Sequence, residues 1–274
     1  MPGGHEPEYV EARRILFDAL EALGIHCKAV VLVGAQAIYQ RIGEGELQVA
    51  PFTSDGDLAL NPSLLDDEPL LAKALQAAGF ALAVKPGTWA RHEVQIDLLV
   101  PSSLGGAGRR SARLGPHGTE VARKAKGLEA AMVDNSVVTL TALDPADTRT
   151  IEVAVAGLGA LLVAKLHKLA ERELELGRWS PKDGLDVLRI LQSADLGVLG
   201  AMLAGLERHT LAGPVTTEAR QHLRLLFGTR DAHGAAMAVR ATVGLEDAAT
   251  IAGACAALAN ELLAAWESAL AGNS

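Results

Sequence analysis

Two aspartates, Asp55 and Asp57, stand one residue apart at the start of a short apolar run that ends at Leu60. Side chains at positions i and i+2 of a strand point to the same face, so the two carboxylates are expected to lie together. Such oxygens suit Mg²⁺, which takes one or two protein carboxylates and fills its other positions with water and substrate phosphates. A third aspartate, Asp97, interrupts a later apolar stretch, where a carboxylate needs a partner or an ion. The three side chains together predict a Mg²⁺ site.

A glycine between a strand and a helix is a candidate phosphate site. Gly34 ends the β-branched run 29–33, and residues 35–41 have helical composition. Glycine lets the backbone approach a phosphate closely, and the first N–H groups of a helix, together with its dipole, attract an anion. Gly34, Ala35 and, beside the aspartate pair, Ser54 are therefore the candidate nucleotide-binding residues.

Each of these features also has an ordinary structural explanation. Residues 54–57 have the composition of an acidic turn, Asp97 could face solvent at a strand end, and Gly34 could serve packing alone. Their order along the chain favours a joint interpretation. A glycine at a strand-to-helix turn, an Asp-x-Asp pair and a later single aspartate form the arrangement that binds two Mg²⁺ ions around a nucleoside triphosphate.

This arrangement resembles the nucleotidyltransferase superfamily, whose fold is shared with the catalytic region of DNA polymerase beta and whose pattern is a Gly-Ser or Gly-Gly turn, an Asp-x-Asp pair and a third aspartate. Residues 161–172, followed by residues 182–188, are similar to the lysine, arginine and aspartate signature of the AbiEii group. These are nucleotidyltransferase-like toxins of bacterial toxin–antitoxin systems, including the mycobacterial MenT-type enzymes. The resemblance extends over residues 30–191.

Two positions depart from the family pattern. Ala35 stands where the family has a second glycine or a serine, so the turn offers no hydroxyl to a phosphate. Pro51 replaces the arginine commonly found four positions before the first aspartate. Both departures bear on phosphate binding, and neither removes a metal ligand.

The resemblance implies roles for residues in both halves of the chain. Asp55 and Asp57 would bridge two Mg²⁺ ions, and Asp97 would complete the metal site and help to activate the attacking hydroxyl. Lys165 would neutralise the triphosphate, and Asp186 would assist as a base or a positioning group. The implied reaction moves a nucleoside monophosphate from an NTP to a hydroxyl acceptor, which is tRNA or another RNA. The implied protein partner is a cognate antitoxin.

The residues around Lys165 also have ordinary structural explanations. Helical spacing places Lys165, Lys168 and Arg172 on one stripe, and Lys165 could extend to water rather than to a phosphate. We expect Lys168 and Arg172 to form a solvated face. Asp183, the third residue after Ser180, is expected to cap the next helix.

A basic segment, defined as residues 105–127, follows the stretch that holds Asp97. Its six cations face a single acid, Glu120, which gives the segment a charge of +5. Such a run is most often a solvated loop, but its position also allows it to hold a phosphate-rich acceptor such as RNA. The six cations are Arg109, Arg110, Arg113, Arg123, Lys124 and Lys126.

The composition excludes several classes of protein. A chain of 274 residues with 49% hydrophobic and 21% charged residues is not globally disordered. The net charge of −8 excludes a uniformly basic nucleic-acid binder. Cys27 and Cys255 cannot form a disulfide framework, and the histidines show no metal-binding spacing, so His167 is expected to pack or cap. No apolar run reaches the roughly 20 residues of a membrane span, and with no export signal the expected location is cytoplasmic.

The hydrophobic patterns predict two domains, 1–156 and 157–274. Strands are predicted at 29–33, 57–60, 80–84, 93–100, 137–140 and 151–155. Helices are predicted at 8–23, 35–41, 68–78, 158–177, 181–193, 195–208, 216–227 and 245–271. The fold class is therefore α+β, with a nucleotidyltransferase-like mixed sheet and flanking helices followed by an all-helical C-terminal domain.

Two other functions stay open at this point. One is a nucleotidyltransferase that modifies a small molecule, as antibiotic-modifying enzymes do. The other is a non-catalytic nucleotide-binding or protein-interaction module that has the same fold, which the departures Ala35 and Pro51 favour and the intact Asp-x-Asp pair disfavours.

Overall fold

The computed structural model describes residues 6–43, 53–173 and 180–272. The expected α+β class is confirmed, since a mixed sheet with flanking helices is followed by a helical C-terminal region. The described residues form two compact units. The first contains residues 6–40, 53–128 and 135–156, and the second contains residues 41–43, 129–134, 157–173 and 180–272.

The first unit is built from eight strands, three helices and short 3₁₀ segments. The strands are β1 (Val30–Val33), β2 (Asp55–Leu60), β3 (Ala81–Leu82), β4 (Thr88–Arg91), β5 (Val94–Pro101), β6 (Arg123–Ala125), β7 (Asn135–Thr141) and β8 (Thr150–Ala156). The helices are α1 (Pro7–Leu23), α2 (Gly34–Ile42), which extends into the second unit, and α3 (Leu71–Ala77). The 3₁₀ segments here are Gly24–Ala29, Pro62–Leu64 and Gly115–His117, and a fourth, Ala130–Met132, belongs to the second unit.

The sheet order is β3-β4-β5-β2-β1-β8-β7, with β6 paired to the far end of β5. Strand β2 lies between β1, to which it is antiparallel, and β5, to which it is parallel. Strand β1 and the second half of β2 are apolar and buried. Every residue of β1 is buried, and Trp89 of β4 is fully buried, with its indole N–H donated to the carbonyl of Val121 at 3.0 Å.

The second unit is helical. Its helices are α4 (Leu158–Glu173), α5 (Pro181–Ser193), α6 (Leu196–Arg208), α7 (Gly213–Phe227), α8 (His233–Ala241) and α9 (Ala248–Ala271). Aspartates begin two of them: the side chain of Asp195 accepts the backbone N–H of Val198, and that of Asp247 accepts the backbone N–H of Thr250. Such caps satisfy N–H groups that the first helical turn leaves without partners.

Among the described helices, α9 has the length and apolar composition of a membrane span. Core helices of folded proteins meet the same criteria, and α9 buries one stripe of its surface, which contains Ile251, Cys255, Ala259, Leu262, Leu263 and Trp266. A Cβ atom on Gly200 of α6 would lie 2.8 Å from the backbone N of Trp266. Helices α6 and α9 therefore pack backbone against backbone at this point.

Three elements were not predicted from the sequence: β4, β6 and α8. The β6 residues are Arg-Lys-Ala, which have little strand propensity, and their pairing with β5 defines the strand. Helix α8 lacks a side-chain cap. It is held by close packing, because a Cβ on Gly184 of α5 would lie 2.7 Å from Cβ of Met237. A Cβ on Gly234 of α8 would lie 2.5 Å from the ring of Phe227 in α7.

The remaining differences are at element ends. Gly79 has a φ of +84° directly after α3, as expected for a left-handed helix end. The helix predicted from 245 begins at Ala248, after its Asp247 cap. Residues 174–177 of one predicted helix, and Pro51, lie outside the described residues.

Candidate functional site

The Asp-x-Asp pair and the single Asp97 lie on neighbouring strands of the first unit. Asp57 of β2 is paired with Asp97 of β5, and Asp55 is paired with Gln95. Because paired residues of parallel strands point to the same face, and so do residues i and i+2 of one strand, Asp55, Asp57 and Asp97 share one face of the sheet. Asp55 is exposed, whereas Asp57 and Asp97 are half-buried.

Gly34 approaches the carboxylate of Asp57 more closely than any other residue type could. It follows Val33, the register partner of Asp57, and it is the first residue of α2. A Cβ at Gly34 would lie 2.9 Å from both Cβ and Cγ of Asp57 and would overlap Oδ2. The φ of Gly34 is +72°, a conformation that side chains disfavour. The N-terminus of α2 and the Asp57 carboxylate are therefore in contact.

The opposite face of β2 is packed into the core. A Cβ on Gly56, between the two aspartates, would lie 2.8 Å from Cδ1 of Ile96 and 3.4 Å from Cδ1 of Leu16. This alternation separates a carboxylate face from a core face within three residues. The central glycine of Asp-Gly-Asp is thus explained by packing rather than by a turn, since these residues lie in β2.

A buried polar chain fixes the backbone at Asp55. The amide Nε2 of Gln36 donates to the carbonyl of Asp55 at 3.0 Å, and Nε of Arg13 donates to Oε1 of Gln36 at 2.9 Å. Arg13 also donates to the hydroxyl of Tyr9, whose pKa is raised because burial outweighs the attraction of that cation. The Asp55 carboxylate itself accepts the hydroxyl of Thr53 at 2.5 Å.

Asp97 is charge-paired within the first unit. Its Oδ2 accepts Nη2 of Arg123 at 2.5 Å and lies 4.0 Å from Nζ of Lys85. Its Oδ1 accepts the hydroxyl of Thr88 at 2.5 Å. The side chains of Asp97 and Arg123 are only 16% and 18% exposed, so the pair is well shielded from water. A cation at Asp97 would compete with Arg123.

The basic segment divides into cations with structural partners and cations at the surface. Arg123 binds Asp97, and Lys124 donates to the carbonyls of Gly106 and Gly108. Arg109, Arg110, Arg113 and Lys126 are exposed. The three arginines among them line an open pocket of about 610 Å³ together with Ser111, Thr119 and Glu120.

Lys165 lies in the second unit, where it is buried between two aspartates of α5. Its Nζ donates to Oδ1 of Asp183 at 2.8 Å and to Oδ2 of Asp186 at 2.6 Å. Burial by itself would lower the pKa of Lys165, but the two carboxylates outweigh burial and raise the pKa above its ordinary value. The side chain of Lys165 therefore does not extend to water, and its charge is already paired with two carboxylates.

The side chains of Lys168 and Arg172 are 40% and 32% exposed, but both cations also meet the buried Asp183. Lys168 lies 3.3 Å from that carboxylate, and Arg172 donates to its other oxygen. Burial would raise the pKa of Asp183, but Lys165, Lys168 and Arg172 outweigh burial and hold it well below the usual range. The ordinary capping role expected for Asp183 is therefore replaced by ion pairing. Asp186 is bound on its other oxygen by Arg189 at 3.4 Å.

Sequence reasoning missed four of the residues that shape the first unit's site: Arg13, Gln36, Thr88 and Arg123 as a partner of Asp97. One signal was present, because Arg13 follows Tyr9 by four residues and precedes Phe17 by four on the buried face of α1. A cation on such a stripe needs a buried acceptor. Nothing in the sequence pattern connects Thr88 or Arg123 with Asp97, since both depend on strand pairing.

No protein-family model, curated protein or solved structure matches this chain. The assignment of a function therefore depends on the strand register, on the close approach of Gly34 to Asp57 and on the hydrogen bonds within each unit.

Proposed function

We propose that the chain is a Mg²⁺-dependent nucleotidyltransferase that moves a nucleoside monophosphate from an NTP to a hydroxyl acceptor. In this reaction the acceptor oxygen attacks the α-phosphorus, the bond from that phosphorus to the pyrophosphate oxygen breaks, and pyrophosphate leaves. The hydroxyl proton passes to a carboxylate of the site. The class is the one that the Gly34, Asp55, Asp57 and Asp97 pattern resembles.

One observation carries the proposal: the Asp57 carboxylate lies against the first residue of α2. A helix N-terminus attracts phosphate, but a phosphate placed there would also meet the negative charge of Asp57. The two anions can share that position only with a cation between them. A glycine that leaves room for a carboxylate at a phosphate-binding turn is therefore the arrangement expected of a metal–phosphate site.

The side chains present fit Mg²⁺. Asp55 and Asp57 supply hard oxygen donors on one face, and Gln36 and Thr53 hold Asp55 in place. Bound there, Mg²⁺ would offset the triphosphate charge and polarise the phosphorus under attack. Asp55 and Asp57 are the ligands in this proposal. Asp97 would serve as a third ligand, or would accept the hydroxyl proton, with Arg123 paired to a substrate phosphate instead of to Asp97.

The second unit plays a supporting part in this proposal. Lys165 can reach a triphosphate only if Asp183 and Asp186 release it, and both hold it in a buried position. We therefore assign Lys165 and Asp186 to the stability of α4 and α5 rather than to the chemical step. The acceptor, RNA in the form suggested by the resemblance, is assigned to the exposed arginines of the basic segment.

The test is label transfer from α-labelled NTPs in the presence of Mg²⁺ and total RNA. Wild-type protein is compared with Asp57→Asn, which keeps the shape of the side chain and removes its charge, and with Asp67→Asn, an exposed control in the same unit. We expect Asp57→Asn to lose about two orders of magnitude or more in rate, as removal of a group that stabilises transition-state charge does. Equal transfer by wild type and Asp57→Asn would rule out the proposal.

A second candidate function is a nucleotide-binding module without catalysis. The Arg123–Asp97 pair favours it, because a fixed cation on the third carboxylate substitutes for a metal there. Saturable NTP binding with no transfer to RNA or to small hydroxyl acceptors would decide for this candidate. Transfer to a small acceptor alone would instead identify a small-molecule nucleotidyltransferase.

A further inference from the structure

Three potential metal ligands meet between two helices of the second unit. They are His167 on α4 and Glu218 and His222 on α7, and one ligand atom from each lies within 4.8 Å of the other two. His167 is 4% exposed, while Glu218 and His222 are half-buried. The sequence predicts that His167 packs in the core or caps a helix. Neither role requires the glutamate and the second histidine that lie beside it.

The spacing on α7 explains how two of the ligands come together. Glu218 and His222 are four residues apart, so they lie one above the other on the same side of the helix. His167 approaches from α4, and its ring meets the ring of His222 edge-on, with centroids 5.1 Å apart and an angle of 88°. The three donor atoms therefore lie close together between α4 and α7.

A backbone carbonyl orients the buried histidine. Nε2 of His167 lies 2.8 Å from the carbonyl oxygen of Val215. Since a carbonyl only accepts, Nε2 carries the proton, and in the neutral ring Nδ1 is the nitrogen with the lone pair. Metal-binding histidines commonly donate their other N–H to a carbonyl or carboxylate, which fixes the tautomer and the ring orientation.

We propose that His167, Glu218 and His222 bind a divalent transition-metal ion of the Zn²⁺ type. Two imidazole nitrogens and one carboxylate are the donors that Zn²⁺ takes, with a fourth position filled by water. The same set is poor for Mg²⁺, which prefers oxygen ligands. The site is separate from the proposed Mg²⁺ site, because its ligands belong to the second unit and those of Mg²⁺ to the first. Its effect is to connect α4 to α7.

The experiment uses the full chain, treated with a chelator and then titrated with Co²⁺, which reports tetrahedral nitrogen and oxygen ligands by its visible absorption. We expect one equivalent of Co²⁺ to give the band, Zn²⁺ to displace it, and excess Mg²⁺ to leave it unchanged. Thermal unfolding should shift to higher temperature with Zn²⁺, since a ligand that binds only the folded state stabilises it.

Variants separate this site from other histidines. His222→Gln and Glu218→Gln should weaken Co²⁺ binding by about tenfold or more, since changes to outer-shell groups alone already cost that much. His92→Gln, an exposed histidine of the first unit, and Asp57→Asn should keep full binding. Failure of the nucleotidyltransferase proposal would leave these results unchanged.

Two outcomes would overturn the site: no stoichiometric Zn²⁺ or Co²⁺ binding by the wild type, or equal binding by His222→Gln and His92→Gln. If the His222 or Glu218 variants do not fold, X-ray absorption at the zinc edge of the wild type decides. Two imidazole ligands at the metal support the site, and an oxygen-only shell contradicts it.

Discussion

At the residue scale, Gly34 combines two separate constraints. Its φ of +72° disfavours any side chain, and the Asp57 carboxylate occupies the space that a Cβ would need. The first constraint concerns the backbone of position 34 alone. The second connects position 34 to the carboxylate assigned to Mg²⁺, so a substitution there should affect the site more than the fold.

We predict that Gly34→Ala displaces Asp57 and abolishes most label transfer. The matched control is Gly43→Ala at the other end of α2, where φ is +66° and nothing lies within 4 Å of the added Cβ. Both variants should lose about 1–2 kcal/mol from the backbone conformation, measured by denaturant unfolding. Gly34→Ala alone should also lose activity and Mg²⁺-dependent nucleotide binding. Equal activity of the two variants would contradict the assigned role of the close approach.

At the element scale, α4 and α5 are joined by a buried cluster of charges. Lys165 is shared by Asp183 and Asp186, and Lys168 and Arg172 also meet Asp183. Water is excluded from its centre, since the side chains of Asp183 and Asp186 are 4% and 1% exposed. Removal of Lys165 would leave Asp183 with only the more exposed Lys168 and Arg172, and Asp186 with only the more distant Arg189.

We predict that Lys165→Met destabilises the protein by about 3–5 kcal/mol, because two buried carboxylates lose their shared cation. Lys168→Met, which removes a cation from a 40% exposed side chain that meets the same Asp183, should cost less than about 1 kcal/mol. The measurement is equilibrium unfolding at neutral pH. Similar losses for both variants would show that the buried position of Lys165 does not matter.

The cluster also sets the pH dependence of this effect. The pKa of Asp183 is lowered by its cations, so its contribution is complete above the ordinary pKa of an aspartate and is lost as the pH falls through the lowered value. The pKa of Lys165 is raised, so its contribution is complete below the ordinary pKa of a lysine and is lost only as the pH rises through the raised value. The difference between wild type and Lys165→Met should therefore be flat between about pH 5 and 9 and shrink in acid.

Prediction from sequence succeeded where local pattern decides structure. The apolar run of β1, the Asp-x-Asp pair of β2 and the helices of the second half have periodicities of their own. Prediction failed where an element forms through contacts with another element. Strand β6 is defined by its pairing with β5, and Gly184 of α5 lets α8 pack closely against it. The same limit applies to the candidate site. Asp97 could be singled out, but its pairing with Arg123 depends on the strand register.

At the scale of the whole molecule, the net charge of −8 and the basic segment act at different ranges. Solvent-exposed charges more than about 8–10 Å from a phosphate, of either sign, are largely screened at physiological salt. A phosphate near Arg109, Arg110 and Arg113 is therefore attracted by these exposed side chains more than it is repelled by distant acids. Arg123 and Lys124 bind groups of the first unit, so we assign the phosphate contacts to the exposed Arg109, Arg110 and Arg113.

We predict that RNA binding depends shallowly on salt and that Gln at positions 109, 110 and 113 removes most of the dependence. Three lost phosphate contacts should reduce the slope of log K against log salt by about 2 for a single strand. Gln substitutions of Arg224, Arg230 and Arg240, three exposed arginines of the second unit, change the net charge equally and serve as the control. An identical slope for the two triple variants would exclude the basic segment as the acceptor site.

Among the residues that the structure describes, two tryptophans are fully buried, and each unit contains one of them. Trp89 reports on the first unit and Trp266 on the second, and indole emission shifts when water reaches the ring. Replacing one of them by phenylalanine leaves the other as the buried reporter of its unit, and the third tryptophan, Trp179, contributes equally to both variants. One thermal scan of each variant then assigns stabilisation by Mg²⁺ with a nucleotide, and stabilisation by Zn²⁺, to separate units of the chain.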